Sequence, residues 1–137
     1  MTEFVYEELF QIGEEATRYR LLSRDGISQA GFDGQPVLRV APEALTLLAR
    51  EAMREVNFLL RGTHLERLAS IPGDPLASPN DRAVAMAMLR NAEIAARFEL
   101  PLCQDTGTAT VLGWKGARVW TDGDDARHLS RGVYETY

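Results

Sequence analysis

The sequence predicts an α+β fold: two long helices and shorter ones packed on a small, mainly antiparallel sheet. Three observations carry the prediction. Short extended segments separated by turn dipeptides fill the region before Pro42. Two long stretches, from Pro42 and from Ser78, repeat apolar residues at helical spacing. A second group of extended segments follows Cys103. At 137 residues the chain makes one domain, or part of a larger one.

Thr17-Arg18-Tyr19-Arg20-Leu21-Leu22 reads as extended and leads into Asp25-Gly26, a strong turn dipeptide. Ile27 to Phe32 then returns as a second strand. Gly31 and Gly34 bracket another turn, and Val37-Leu38-Arg39-Val40 forms a third extended segment. From Pro42 to Arg61, residues Leu45, Leu48, Ala49, Ala52, Val56, Leu59 and Leu60 make the stripe of a core-facing helix. Pro42 suits the first turn, where its missing N–H costs nothing, and Gly62 suits the end. A short helix is expected around His64 to Ala69, before Pro72-Gly73-Asp74-Pro75 breaks the chain direction.

Ser78-Pro79-Asn80-Asp81 is a helix start with a mechanism. Ser78 caps, Pro79 supplies a pre-set φ, and Asp81 accepts the free N–H of the cap. This helix is expected to run to about Phe98. Arg82, Arg90, Glu93 and Arg97 share its polar face, and Val84, Ala85, Met88, Leu89, Ala92 and Ala96 cover the rest. So broad an apolar surface needs more than one neighbour to bury it. Beyond Cys103, Thr108 to Leu112 and Ala117 to Thr121, joined through Trp114-Lys115-Gly116, read as a β-hairpin. In the last helix, capped by Asp124 or Asp125, residues Ala126, Leu129, Val133 and Tyr137 hold helical spacing. It reaches Tyr137 with no Gly, Pro or polar terminator, and the chain is therefore expected to be a piece of a longer protein.

Composition narrows the function classes. Hydrophobic content of 45% and charged content of 26% are ordinary for a globular protein. The net charge of −5, with both signs interspersed, offers no basic stripe for nucleic acid. It also gives no long-range attraction for an anionic substrate, so a carboxylate site needs locally placed Arg or Lys. No run approaches the ~18 apolar residues of a membrane span, and the first residues lack the pattern of a signal peptide. A single cysteine excludes an internal disulfide and fits a reducing, cytoplasmic compartment.

The densest chemistry lies in Leu100-Pro101-Leu102-Cys103-Gln104-Asp105-Thr106-Gly107-Thr108-Ala109. A thiol, an amide and a carboxylate on successive residues, closed by Thr-Gly, bring three different polar groups into one loop. A thiolate suits iron, an amide suits orientation of a ligand, and a carboxylate suits acid–base work. The plain alternative is a small buried cysteine beside loop residues that bond local backbone. His64 and His128 have no metal-ligand spacing to Cys103 or to each other and are read as surface or capping residues. Arg131 is read as a salt-bridge or packing residue, Trp114 and Trp120 as packing or interface residues, and Met86 and Met88 as fillers. Asn91 and Glu93 are read either as supports of the cysteine loop or as solvated residues.

The segment Pro101 to Ala109 resembles the cysteine loop of class I, iron–sulfur-dependent fumarate hydratases. The resemblance extends to Tyr19-Arg20-Leu21-Leu22, Phe32-Asp33-Gly34, Leu38 to Leu45, Leu47-Leu48-Ala49, Leu89 to Ala96, Arg118 to Thr121 and Arg131 to Tyr134. It covers nearly the whole chain from about residue 17 and matches the N-terminal portion of the single-chain members. It implies reversible hydration of fumarate to malate, with a 4Fe–4S cluster as Lewis acid, in an enzyme that is a homodimer at full length. It further implies that Cys103 is the first cluster ligand, that Gln104 binds substrate, and that Asp105 binds substrate and transfers a proton. The family uses three cluster cysteines, and this chain has one. The chain alone is therefore expected to be inactive and to need the remainder of the enzyme or a partner chain. Two other readings stand beside this one: a tartrate or other hydroxy-diacid dehydratase of the same family, and a non-catalytic binding domain that kept the fold. The last predicts little exposed apolar surface, whereas a fragment predicts an apolar patch where the missing parts dock.

Overall fold

In a computed structural model the described residues are 4–7, 19–104 and 107–137. They form three strands and four α-helices: β1 (Ile27–Phe32), β2 (Gln35–Val40), α1 (Pro42–Phe58), α2 (Gly62–Ser70), α3 (Pro79–Ala95), β3 (Val119–Thr121) and α4 (Asp125–Tyr134). A 3₁₀ turn over Ile71–Gly73 follows α2. The α+β class with two long helices is as the sequence predicts.

Local chemistry explains the first strand pair. β1 and β2 are antiparallel, in register from Ile27 opposite Val40 to Phe32 opposite Gln35. Asp33 and Gly34 between them have φ of 47° and 70°, the two positive angles that match a tight turn to the strand twist. The extended segment foreseen before Asp25 is not a strand among its described residues; Thr17 and Arg18 lie outside them. Arg20 instead ion-pairs with Glu55 on α1.

The hairpin expected after Cys103 does not form. β3 pairs with β2, and in parallel, from Leu38 opposite Val119 to Val40 opposite Thr121. The sheet order is β1-β2-β3, with the long β1–β2 pairing antiparallel and the shorter β2–β3 pairing parallel, so the sheet is mainly antiparallel as the sequence predicts, with a parallel edge strand. Residues 108–112 have no strand partner. Ala109 and Val111 instead line a groove with Ala126, Leu129 and Val133 of α4. Their apolar alternation serves helix packing, which local spacing cannot distinguish from strand pairing.

The helices depart from expectation mainly at their ends. α1 stops at Phe58, Leu59 is extended, and Gly62 opens α2 rather than closing α1. α3 begins as predicted. The Ser78 hydroxyl accepts from the Asp81 amide at 3.1 Å, and the Asp81 carboxylate accepts from the Ser78 amide at 2.9 Å. It ends at Ala95, short of Phe98, which takes φ 61°, a left-handed conformation rare for an aromatic residue. α4 has no side-chain cap and closes at Tyr134 rather than Tyr137. Thr136 ends it by donating to the carbonyls of Gly132 at 3.0 Å and Arg50 at 3.1 Å.

The capping box at α3 yields a prediction. Its hydroxyl and amide bonds, the Ser78 hydroxyl first, hold the Asp81 carboxyl below its ordinary value of 3.8. A depressed carboxylate contributes stability above the unfolded value and loses it as pH falls through the folded one. Ser78→Ala is expected to cost about 1 kcal/mol and to flatten the acid dependence of the first turn below pH 3.8. Amide exchange at Asp81 and Arg82 as a function of pH checks this; an unchanged profile in the variant would disprove it.

The core is small. Among the described residues the buried apolar side chains are Val37, Ala49, Leu68, Ala85, Ala92 and Ala95. α1 and α4 form the most extensive helix pair, while α3 packs on α2 and the 3₁₀ turn. The apolar stripe foreseen on α1 is therefore buried only in part. α4 crosses at Thr46, Ala49 and Arg50, leaving Leu48, Val56 and Leu59 exposed. On α3, Ala85 and Ala92 are buried, whereas Val84 is 49% and Met88 is 45% exposed. That matches the expectation that one neighbour does not suffice for α3.

Candidate active site

Cys103 and Gln104 open onto a cleft of about 570 Å³ at the C-terminal half of α1, away from the sheet. Arg50, Arg54 and Asn57 line it from α1, Phe98 and Pro101 from the segment after α3, and Thr136 and Tyr137 from the end of α4. Asp105, the third residue of the motif, lies outside the described residues.

The chain reaches this cleft along a defined path. Phe98 packs on Phe58 with ring centroids 5.2 Å apart, and the Arg54 guanidinium stands over the Phe98 ring at 5.0 Å. These contacts hold the left-handed turn that ends α3. Four residues on, the Leu102 amide donates to the Asn57 carbonyl at 2.8 Å, and the Leu102 carbonyl accepts from Asn91 Nδ2 at 2.7 Å. Both polar groups of Leu102 are thus tied to helices immediately before Cys103. Asn57 also donates through Nδ2 to the Tyr137 hydroxyl at 3.1 Å, joining α1 to the end of α4.

Cys103 is exposed and its thiol approaches the Gln104 carbonyl at 3.5 Å. The buried-cysteine reading is therefore overturned by the geometry. Charge near the thiol is largely paired. Arg50 lies 3.3 Å from Glu51 and 3.7 Å from Glu135, and Glu135 also takes Arg131 at 2.8 Å. Arg131 is thus the salt-bridge residue the sequence implied. Arg54 has no carboxylate within ion-pair distance among the described residues and makes the cation–π contact instead.

The remaining candidates fall elsewhere. His64 is exposed on α2, and His128 is half-buried on α4, where its carbonyl accepts from Thr46. Neither lines the cleft. Trp120 packs edge-on against Phe32 at 5.0 Å, whereas Trp114 is 69% exposed. Arg54, Asn57, Phe98 and Tyr137 were not legible as site residues. They come from separate elements, and the faint signal was Asn57 near the end of a helix otherwise read as apolar.

Residues 46–137, including the whole cysteine loop, match the family described as Fumarate hydratase (Fumerase). The chain belongs to this family. It is 53% identical to the anaerobic class I fumarate hydratase of Escherichia coli K12 over 98% of its own length and 24% of that protein. Identity is 52% to the aerobic class I fumarate hydratase of Salmonella typhimurium, over 98% of this chain and 23% of that one. It is 44% to the fumarate hydratase 1, mitochondrial, of Leishmania major, over 100% and 26%. The chain spans about a quarter of these hydratases, in their N-terminal region. One relative is named as mitochondrial, so family membership does not itself place the chain in the cytoplasm. No helix among the described residues is long and apolar enough to cross a membrane.

Whether the chain fits an iron–sulfur cluster follows from its donor set. Among the described residues no three His, Cys, Asp or Glu side chains stand together as a metal site. Cys103, exposed at the mouth of the cleft, fits one corner of a cluster. The set as a whole does not fit, because such clusters take several thiolates and the chain has one.

Proposed function

We propose that this chain is the N-terminal part of a hydro-lyase that interconverts fumarate and malate, and that it supplies one edge of the reaction centre. The observation that carries this reading is the family match across the cysteine loop, in a fold that opens Cys103 and Gln104 onto one cleft. When bound, a 4Fe–4S cluster supplies Lewis-acid chemistry. Cys103 would be its ligand from this chain, with the other thiolates supplied by the rest of the hydratase. Gln104 orients the dicarboxylate through its amide. Asp105 exchanges the proton at the hydroxyl that leaves malate or returns to fumarate. Of the two arginines lining the cleft, Arg50 is already paired with Glu51 and Glu135, and Arg54 stands over the Phe98 ring.

The exposed apolar surface weighs against the non-catalytic reading. Leu48, Val56, Leu76, Val84 and Met88 are all exposed, Leu76 at 92%, as expected where further chain docks. The complete enzyme is taken to be a cytoplasmic homodimer. Between fumarate and another hydroxy-diacid, the names of the relatives favour fumarate.

The test is anaerobic iron and sulfide loading of this polypeptide, followed by charge-transfer absorbance and a malate-to-fumarate assay. Neither cluster nor turnover is expected from the chain alone, and both are expected once the remainder of a class I hydratase is supplied. Turnover by the chain alone would overturn the division of ligands. No turnover of malate by the completed enzyme, with turnover of tartrate, would move the substrate to another hydroxy-diacid.

A further inference from the structure

We propose that Asn91 is a positioning residue for the cysteine loop, acting through the peptide groups of Leu102. The inference rests on the reading of Cys103 and Gln104 as site residues, and it assigns a role to a side chain that touches neither substrate nor cluster.

The argument begins with α3. Its buried stripe is Ala85, Ala92 and Ala95, and Asn91 stands beside that stripe on the exposed surface. An asparagine in a helix interior has poor propensity and no packing duty there. Its one hydrogen bond is long-range in the local sense: Nδ2 reaches the Leu102 carbonyl, 11 residues on, at 2.7 Å. The same residue's amide is taken by the Asn57 carbonyl of α1 at 2.8 Å. The Leu102 N–H lies in the peptide joining it to Pro101 and its C=O in the peptide joining it to Cys103, so the two bonds hold the planes on both sides of the Leu102 Cα. Leu102 is bonded to Cys103, so the direction in which the thiol leaves the backbone follows from these two bonds.

The neighbouring geometry gives this clamp a reason. α3 ends in the left-handed turn at Phe98, and the chain then runs through Pro101, with no regular structure to hold residues 101–104. The Asn57 bond holds the Leu102 amide, and the hydrogen-bond partner of the Cys103 thiol among the described residues is the adjacent Gln104 carbonyl. Asn91 supplies a second anchor, from a different helix. A side chain at this position needs a donor to make that bond; Asp offers only acceptors to a carbonyl when ionised.

The test uses the chain itself. In Asn91→Leu and Asn91→Asp, amide exchange at Leu102 and alkylation of Cys103 are measured together with far-UV circular dichroism. Leu102 exchange is expected to accelerate about 2- to 10-fold, the weight of one hydrogen bond of ordinary strength, and the alkylation rate to change by a similar factor. Helix content and exchange elsewhere in α3 are expected to stay as they were, because Asn91 is exposed. Asn91→Gln, which keeps the amide donor on a longer arm, is expected to restore part of the protection. Unchanged exchange and alkylation in both variants would reduce Asn91 to a solvated residue and overturn the proposal. So would an equal acceleration throughout α3, which marks a structural role. Iron loading of the completed wild-type enzyme is a separate readout: if it fails, the reading of Cys103 as a ligand falls, while the clamp result stands on its own.

Discussion

Gly132→Ala is expected to part α4 from α1 and to lower stability by about 3 kcal/mol, the upper range for overpacking a tight contact. Gly132 is buried on α4. A methyl group there would stand 2.7 Å from Ala49 Cβ and 2.8 Å from the Arg50 amide nitrogen, and would collide with the Thr46 carbonyl oxygen. Two of these atoms are helix backbone, so no rotamer change relieves them. Alanine's better helix propensity returns only about 1 kcal/mol, so the clash decides the sign. The consequence reaches the cleft, because α4 delivers Glu135, Thr136 and Tyr137 to it from just beyond this crossing. Urea denaturation followed by circular dichroism measures the effect, and an unchanged or higher midpoint would refute it. Adding Ala49→Gly should recover only part of the loss, since it removes the side-chain contact and leaves both backbone ones.

Asp105→Asn is expected to lower turnover of the completed hydratase by about 100- to 10,000-fold, the range for losing a general acid or base, while iron content stays unchanged. Asparagine keeps the size and the hydrogen-bonding reach of the side chain and removes its titratable proton. Cys103→Ser should behave differently, with iron content and turnover falling together. The two variants thus separate proton transfer from metal retention, when kcat and bound iron are measured on the same samples. Full turnover in Asp105→Asn would remove the carboxylate from the reaction, whatever became of the metal.

Much of this was legible because the signals are local. The Ser78-Pro79-Asn80-Asp81 start of α3 is a reciprocal bond between residues three apart, and it forms as the spacing predicts. Cys103 and Gln104 share a loop because they are adjacent, and that loop opens onto the cleft beside α1 through its own backbone anchors. Apart from helix ends, the errors are of partnership. Gly62 punctuates two helices, and nothing nearby says which one it serves. Thr108 to Leu112 alternates like a strand, but β3 found its partner in β2, and residues 109 and 111 turned to α4. A glycine inside a helix has low local propensity and nothing in its own neighbourhood that explains it; Gly132 is such a residue. Its role as a crossing site required knowing that Ala49, from another element, would face it. Likewise, Asn57 and Tyr137 meet across 80 residues of chain, which no local spacing encodes.

The parallel pairing of β2 with β3 bears on how the chain reaches its native state. Arg39 and Asp122, flanking that pairing, lie 83 residues apart in the chain yet 3.3 Å apart in space. The α1 and cysteine-loop walls of the cleft are enclosed in the intervening segment, while the α4 wall follows it. Closing so long a loop costs entropy before any strand bond repays it, and folds rich in such contacts assemble slowly. A ribosome making this chain would release α1, α2 and α3 well before β3 exists to complete the sheet. During that interval Cys103 would emerge on helices already able to form, with the sheet still waiting for its last strand. Assembly order would therefore favour an early-formed thiol loop and a late-sealed sheet.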